Sequence, residues 1–105
     1  MNYRKLGRTG MMVSEVGLGC EHLQGQPYEN VKAVVDAALE GGVNILDVFM
    51  SEPQVRTDIG KALAGRREKV VLQGHICAAW KDGQYCRTRV TEEAKFFFED
   101  FLTRL

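Results

Sequence analysis

The chain has 105 residues, 45% of them hydrophobic and 27% charged, and its 14 basic and 14 acidic side chains give a formal net charge of zero. This length suits one small domain with a modest core, and the neutral balance gives no indication of a nucleic-acid or anionic-membrane partner. No apolar run approaches the length of a membrane span, so we expect a cytoplasmic protein. Three cysteines without CxxC spacing predict reduced thiols rather than a disulfide framework.

The N-terminal residues predict a small hairpin followed by a short strand. Polar and apolar residues alternate over residues 3–16 around the turn Arg8-Thr9-Gly10, as in a β-hairpin closed by glycine. The segment Val16–Cys20 is typical of a short strand with two glycines. Its Gly17-x-Gly19 pair lacks the third glycine of a dinucleotide-binding fingerprint, because His22 stands at that position. The sequence therefore excludes that fingerprint.

A helix and a buried strand are predicted next, and the strand ends in an acid. Pro27 suits a first helical turn, and Gly41-Gly42 suits the helix end. The apolar residues between them follow the spacing of one helical face: Val31, Val34, Val35, Ala38 and Leu39. The run Gly42–Asp47 reads as a buried parallel strand. Asp47 then lies where parallel α/β proteins place their chemistry, although an Asp can equally cap the loop that follows.

The second half of the chain repeats the strand and helix pattern. Pro53 begins a helix whose apolar stripe is Val55, Ile59, Ala62 and Leu63, and Val70–His75 reads as another buried strand. We predict a long loop over Cys77–Val90 around the turn signal Asp82-Gly83. The last segment is an amphipathic helix with an apolar face formed by Ala94, Phe97, Phe98, Phe101, Leu102 and Leu105. Such alternation predicts parallel strands joined by right-handed crossovers.

Several segments resemble the N-terminal part of the aldo-keto reductase family. They are Tyr3–Gly10, Val13–Gly19, Ala37–Asp47 and Ile59–Leu63. The resemblance implies an α/β fold, a partial (β/α)8 TIM barrel in which a hairpin (1–15) precedes βα units at 16–41, 42–65 and 66–105. It also implies an NAD(P)-dependent oxidoreductase acting on a carbonyl or alcohol substrate. Since a complete barrel needs about 250 residues, we expect an N-terminal fragment.

The resemblance also implies three candidate catalytic residues. Asp47 matches the family aspartate. An ungapped count puts Glu52 at the position of the family tyrosine and His75 at that of the family lysine, while the family histidine would fall beyond Leu105. A Glu52–His75 pair over Asp47 could still transfer protons. The alternative is that all three are polar residues at the rim of a degenerate site.

The same resemblance implies a cofactor, NADP or NAD, and a small carbonyl substrate. Gly19, Cys20 and Asp47 are the candidate cofactor contacts. The family binds the cofactor phosphates on loops after the seventh and eighth strands, so we expect these 105 residues to bind it weakly or not at all. Trp80 and Tyr85 are the candidate substrate contacts, although aromatic residues could also pack the loop onto the barrel rim.

Two further possibilities concern metal and partners. Four soft or borderline ligands fall at the ends of the first and third strands, namely Cys20, His22, His75 and Cys77. Their spacing is not a zinc signature, so we predict no metal site. We expect Arg87 and Arg89 to be solvated, with anion binding a weaker alternative. The alternative to an enzyme is an inactive barrel fragment that forms a homo-oligomer through open strand edges and its phenylalanine-rich helix.

Overall fold

A three-stranded parallel sheet lies at the centre of the computed structural model, which describes residues 1–105. The strands are β1 (Tyr3–Lys5), β2 (Met12–Ser14), β3 (Leu18–Gly19), β4 (Ile45–Val48), β5 (Val71–Gly74), β6 (Ala78–Lys81) and β7 (Gln84–Arg87). The helices are α1 (Tyr28–Glu40), α2 (Pro53–Ala62) and α3 (Thr91–Arg104). None of the helices is long and apolar enough to cross a membrane.

The central sheet has the strand order β3-β4-β5, and all its strands are parallel. Leu18 pairs with Leu46, and Ile45 pairs with Val71. Each strand is joined to the next by a helix, α1 and then α2, and these two helices pack side by side. This is the parallel βα arrangement that the alternating pattern predicted.

The two faces of the sheet differ in burial. Leu46 and Val48 of β4 are fully buried among residues of α1 and α2. Burying such an aliphatic side chain contributes roughly 1.5–3 kcal/mol. Ile45 and Asp47, which alternate with them, point to the opposite face and remain half-buried. The sheet is therefore covered by helices on one side and open on the other.

Proline and glycine set the helix boundaries as the sequence predicted. α1 begins directly after Pro27, and the chain turns back at Gly42, whose φ of 87° lies in the left-handed region that glycine adopts without strain. α2 begins at Pro53. Its four predicted apolar residues are all buried, namely Val55, Ile59, Ala62 and Leu63.

The N-terminal hairpin β1–β2 is antiparallel and is fastened to the start of β4. Asn44 accepts a hydrogen bond from the Ser14 backbone N–H (2.7 Å) and donates one to the Met12 carbonyl (2.9 Å). The Tyr3 hydroxyl donates to the Gly42 carbonyl at 2.7 Å. These bonds hold the hairpin at the amino end of the sheet, away from Asp47.

The predicted long loop over Cys77–Val90 is wrong in its main part, because most of it forms the antiparallel hairpin β6–β7. Asp82 and Gly83 lie at its tip, and both have positive φ, 51° and 74°. A two-residue Asp-Gly connection with positive φ at both positions matches the right-handed twist of the flanking strands. The turn signal was therefore correctly located, but it closes two strands.

Helix α3 packs on α2 and β6 and leaves much of its predicted apolar face uncovered. Phe101 is buried against Gly74, whereas Phe98 is 47% exposed and Leu102 60% exposed. The closest helix contact is at Gly60, where an added Cβ would lie 1.8 Å from the Arg104 carbonyl oxygen. The predicted apolar face is therefore covered along its inner half and exposed along its outer half.

Arg56 of α2 is a buried cation that joins α2 to α3. Its guanidinium donates to the Met50 carbonyl (2.8 Å), to the Phe97 carbonyl (2.7 Å) and to the Asp100 carboxylate (3.1 Å). Burial lowers the pKa of Arg56, and the Asp100 carboxylate opposes that shift. These three bonds compensate the cost of desolvating the charge.

Candidate active site

Three polar side chains share the open face at the carboxyl end of the sheet. Asp47 on β4 is paired with Gln73 on β5, so both residues point to the same face. His75 follows Gln73 by two residues and returns to that face, because side chains alternate along an extended chain. The parallel register thus brings Asp47, Gln73 and His75 together.

Asp47 Oδ1 is the common acceptor in this group. His75 Nε2 lies 3.0 Å from Asp47 Oδ1, and Gln73 Nε2 donates to the same oxygen at 3.3 Å. The side chains of His75 and Asp47 are 46% and 43% exposed. The pair is therefore ordered by hydrogen bonds and still accessible to a small molecule.

Two aromatic rings form a wall beside the imidazole. The Phe49 ring centroid lies 5.8 Å from that of His75 and 5.3 Å from that of Tyr85, edge to face with the tyrosine. Trp80 is paired with Tyr85 across the β6–β7 hairpin, so the two residues share one side of it. The hairpin therefore places Tyr85 at the open face, with Trp80 beside it.

The hairpin is held over the strand ends by its own polar contacts. The Ser51 hydroxyl, after β4, donates to the Ala79 carbonyl of β6 at 2.6 Å. The Glu93 carboxylate of α3 accepts hydrogen bonds from Lys81 and Thr88. The hydrogen bond from Lys81 holds the pKa of Glu93 below its ordinary value, and the same bond raises the pKa of Lys81.

Known proteins share this arrangement of strands and helices. The chain is 35% identical over 85 residues to the uncharacterized oxidoreductase YqkF of Bacillus subtilis, covering 79% of this chain and 28% of that protein. It superposes on aldo-keto reductase AKR11C1 from Bacillus halodurans with a TM-score of 0.84 at 30% identity, over 100% of this chain and 36% of the other. The chain is therefore similar to an aldo-keto reductase along its whole length. A second structure, PA4992 from Pseudomonas aeruginosa, gives a TM-score of 0.80 at 25% identity, over 98% and 42%.

These coverages show that the structure matches only part of an aldo-keto reductase barrel. The chain spans about a quarter of the length of the curated relative and about two fifths of the solved structures. No family model matches it. The predicted fold, a hairpin followed by three βα units of a partial (β/α)8 barrel, is confirmed. In such a barrel the open face of the sheet, which carries Asp47 and His75, corresponds to the interior.

Glu52, predicted to pair with His75, instead forms its hydrogen bond with its own helix. It precedes α2, and its carboxylate accepts a hydrogen bond from the Val55 backbone N–H at 3.0 Å. This is the bond of a helix N-cap, which satisfies an otherwise free N–H of the first turn. Glu52 makes no hydrogen bond to Asp47 or His75, so the structure does not form the predicted Glu52–His75 pair.

Cys20, the second predicted residue that does not lie on the open face, is fully buried in the core cluster. Burial, with a smaller contribution from the nearby Asp47 charge, raises the pKa of its thiol to about 12. A buried, neutral thiol offers no surface to a cofactor in this structure, so a cofactor contact at Cys20 stays a prediction that its side chain does not support. Its neighbour Gly19 is exposed, and no heavy atom lies within 4 Å of a Cβ built there.

The structure gathers no metal site. No group of three or more His, Cys, Asp or Glu side chains lies close enough to hold an ion. Cys20 is in the core, whereas Cys77 is half-buried in the turn that leads into β6. The four soft ligands noted in the sequence therefore do not assemble.

Two residues of the site were missed by sequence reasoning. Phe49 follows Asp47 by two residues, and Gln73 precedes His75 by two. A spacing of two at the end of a strand keeps side chains on one face, and this signal could have identified both. The sequence predicts a loop over residues 48–52, and a loop prediction does not assign Phe49 to a face of the sheet.

Proposed function

We propose that these residues form the strand-end part of the active site of an NAD(P)-dependent oxidoreductase that acts on a carbonyl or alcohol substrate. The hydrogen bond between His75 and Asp47 on the open face of the barrel carries the proposal. It is a proton-transfer pair in a position where barrel enzymes conduct their chemistry. Phe49 and Tyr85 provide an apolar wall for the substrate next to it.

The hydrogen bond gives each member of the pair a role in carbonyl reduction. Asp47 accepts a hydrogen bond from the Nε2–H group of His75, which leaves Nδ1 to take up and deliver a proton. A bound nicotinamide supplies the hydride that adds to the carbonyl carbon. His75 then donates its Nδ1 proton to the carbonyl oxygen, and the product is the alcohol.

The strand ends fit a flat cofactor ring in one respect. Gly19 and Asp47 are paired across β3 and β4, Gly19 is exposed, and the space above it is empty of protein atoms. A glycine there allows a ring to approach the backbone closely, while Asp47 provides a hydrogen-bond acceptor. Gly19 and Asp47 would therefore hold the reactive end of the cofactor.

Turnover of variants tests this proposal in the longest natural product of the gene that contains these residues. Reduction of 4-nitrobenzaldehyde by NADPH or NADH is followed at 340 nm. We expect Asp47→Asn and His75→Gln each to lower kcat by about 10²–10⁴-fold, the usual contribution of a general acid or its partner. Circular dichroism spectra that match the parent protein confirm that both variants fold.

Glu52→Gln provides the discriminating arm of the experiment. Because Glu52 caps α2 in this structure, we expect kcat to change by less than about twofold and the melting temperature to fall slightly. A loss as large as that of His75→Gln would return Glu52 to the catalytic set. Full turnover in Asp47→Asn and His75→Gln would refute the proposed proton-transfer pair.

A second candidate function, self-association without catalysis, is favoured by the uncovered apolar surface of α3. A groove of about 300 Å³ runs between β5 and α3, and Phe98 and Leu102 line it. Both are exposed, and the nearby Ile76 is 73% exposed. β5 is also an edge strand of the sheet. Exposed apolar surface next to a free strand edge favours association with another copy.

A further inference from the structure

We propose that Arg87 forms an anion subsite next to the His75–Asp47 pair, so that the preferred substrate is a small carbonyl compound carrying a carboxylate. The inference rests on the function proposed above and specifies its substrate class. It arises from a cavity of about 300 Å³ between the strand end and the β6–β7 hairpin, lined by His75, Ile76, Cys77, Ala78, Tyr85 and Arg87.

The hairpin register aims Arg87 at this cavity. Arg87 is paired with Ala78, and Tyr85 with Trp80, so these residues share one side of the hairpin. Tyr85 on that side contacts Phe49, and Phe49 in turn contacts His75. Arg87 is two residues beyond Tyr85 on the same strand, and the cavity lining includes both Arg87 and His75.

Arg87 is chemically free to bind an anion. It takes part in none of the ion pairs or side-chain hydrogen bonds of the structure, whereas Lys81 on the same hairpin is paired with Glu93. The cavity lining contains no carboxylate. The acid of the site, Asp47, already accepts hydrogen bonds from His75 and Gln73. A planar guanidinium without a partner matches a carboxylate in two parallel hydrogen bonds.

The size of the cavity limits the substrate. A volume of about 300 Å³ is at the lower end of the range of small-molecule sites. His75 and Arg87 line the same small space, so one short molecule spans both. We infer a short oxo acid, with its carbonyl oxygen at His75 and its carboxylate at Arg87.

A pair of ketones that differ only in charge tests the subsite by turnover. The probes are 4-oxopentanoate and the uncharged 2-pentanone, reduced by the longest natural product of the gene with the nicotinamide nucleotide that supports turnover. In Arg87→Gln we expect KM for 4-oxopentanoate to rise at least about tenfold, since a hydrogen bond to a charged group is lost, with kcat changed less than about twofold. KM for 2-pentanone is expected to stay the same. Arg87→Lys, which keeps the charge without the planar fork, recovers part of the loss.

Arg89→Gln is the matched control, because Arg89 is also exposed but does not line the cavity. An equal rise in KM for both probes, or an equal effect of Arg89→Gln, would overturn the subsite.

Binding is measured separately on the 105-residue chain through the fluorescence of Trp80, its only tryptophan. Saturable binding of 4-oxopentanoate that Arg87→Gln abolishes supports the subsite even if neither ketone is reduced, and in that case the oxidoreductase proposal alone fails. Turnover of both ketones without any dependence on Arg87 would refute the subsite alone.

Discussion

Two carboxylates five residues apart, Asp47 and Glu52, take different roles because of the backbone positions that hold them. Asp47 lies at the end of a strand, where its side chain points to the open face and meets His75. Glu52 lies before a helix, where free backbone N–H groups attract an acceptor. A count along the sequence treats these positions as equivalent site candidates, but the local backbone gives Glu52 a partner in its own helix.

Cys20 shows the opposite situation, in which a residue at a strand end faces the core. It directly follows Gly19 at the end of β3, and its side chain joins the buried cluster beneath the helices. Burial raises the pKa of the Cys20 thiol to about 12, so the reactive thiolate is scarce at any pH at which the protein is handled. Cys77 and Cys86 are only half-buried.

We therefore expect two of the three thiols to react with 5,5′-dithiobis(2-nitrobenzoate) at pH 8 in the folded chain. The third, Cys20, should react only after unfolding in urea. Reaction depends on the exposed thiolate, so the absorbance at 412 nm gives the number directly. Cys20→Ser should show two thiols with and without urea. Rapid reaction of three thiols in the folded parent chain would contradict the burial of Cys20.

Element boundaries were predictable where periodicity and breaker residues agreed. α1 and α2 follow an apolar stripe with Pro at the start and Gly near the end, and both were located from these signals. The β6–β7 hairpin was missed, although Asp82-Gly83 is a strong hairpin signal. Its first strand, Ala78–Lys81, does not alternate polar and apolar residues. The alternation that identifies a strand in a sequence is therefore absent there.

The part of the site at the strand ends was predictable from the sequence, whereas the part on the β6–β7 hairpin was predictable only in part. Asp47 is predicted because it ends an apolar strand of a parallel sheet, whereas the family resemblance places His75 at the end of the next strand. The carboxyl ends of parallel strands meet at one edge of the sheet, which brings the two residues together. The contribution of the hairpin was only partly foreseen, because the position of Tyr85 and Arg87 depends on how β6 and β7 pair. Pairing of this kind is set by tertiary contacts, such as the bond from Ser51 to Ala79.

The contact between α2 and α3 depends on a glycine that helix propensity alone would disfavour. A Cβ at Gly60 would lie 1.8 Å from the Arg104 carbonyl oxygen. The two atoms would overlap, and the oxygen belongs to the backbone, so α2 and α3 would have to move apart. We expect Gly60→Ala to lower the free energy of unfolding by roughly 1–3 kcal/mol through overpacking. This loss outweighs the gain of about 1 kcal/mol that Ala brings to a helix interior.

Urea unfolding followed by circular dichroism measures this effect. Gly19→Ala is the control, since a Cβ built at Gly19 meets no heavy atom within 4 Å and should change the midpoint little. An unfolding midpoint for Gly60→Ala at or above that of the parent would show that α3 does not lie against α2 as described.

In the molecule as a whole, helices cover one face of the central sheet and the other face is open. The helix side carries the core cluster of 13 buried residues, while the barrel-interior side carries the half-exposed Asp47 and His75. β3 and β5 are both edge strands, and each has unpaired backbone groups along one side. A barrel closes such edges by pairing every strand with two neighbours. Here, a second copy could cover one edge together with the groove beside α3.

Light scattering tests this association on the 105-residue chain. We expect its average mass to rise from that of a monomer toward that of a dimer as concentration increases. In Phe98→Asp, which places a charge in the groove, the dissociation constant should increase at least about tenfold, as for a residue at the centre of an interface. Phe96→Asp is the matched control, because Phe96 is 62% exposed but lies outside that groove. A monomer at every concentration would exclude self-association of the chain through α3. An equal effect of both substitutions would exclude this groove as the interface.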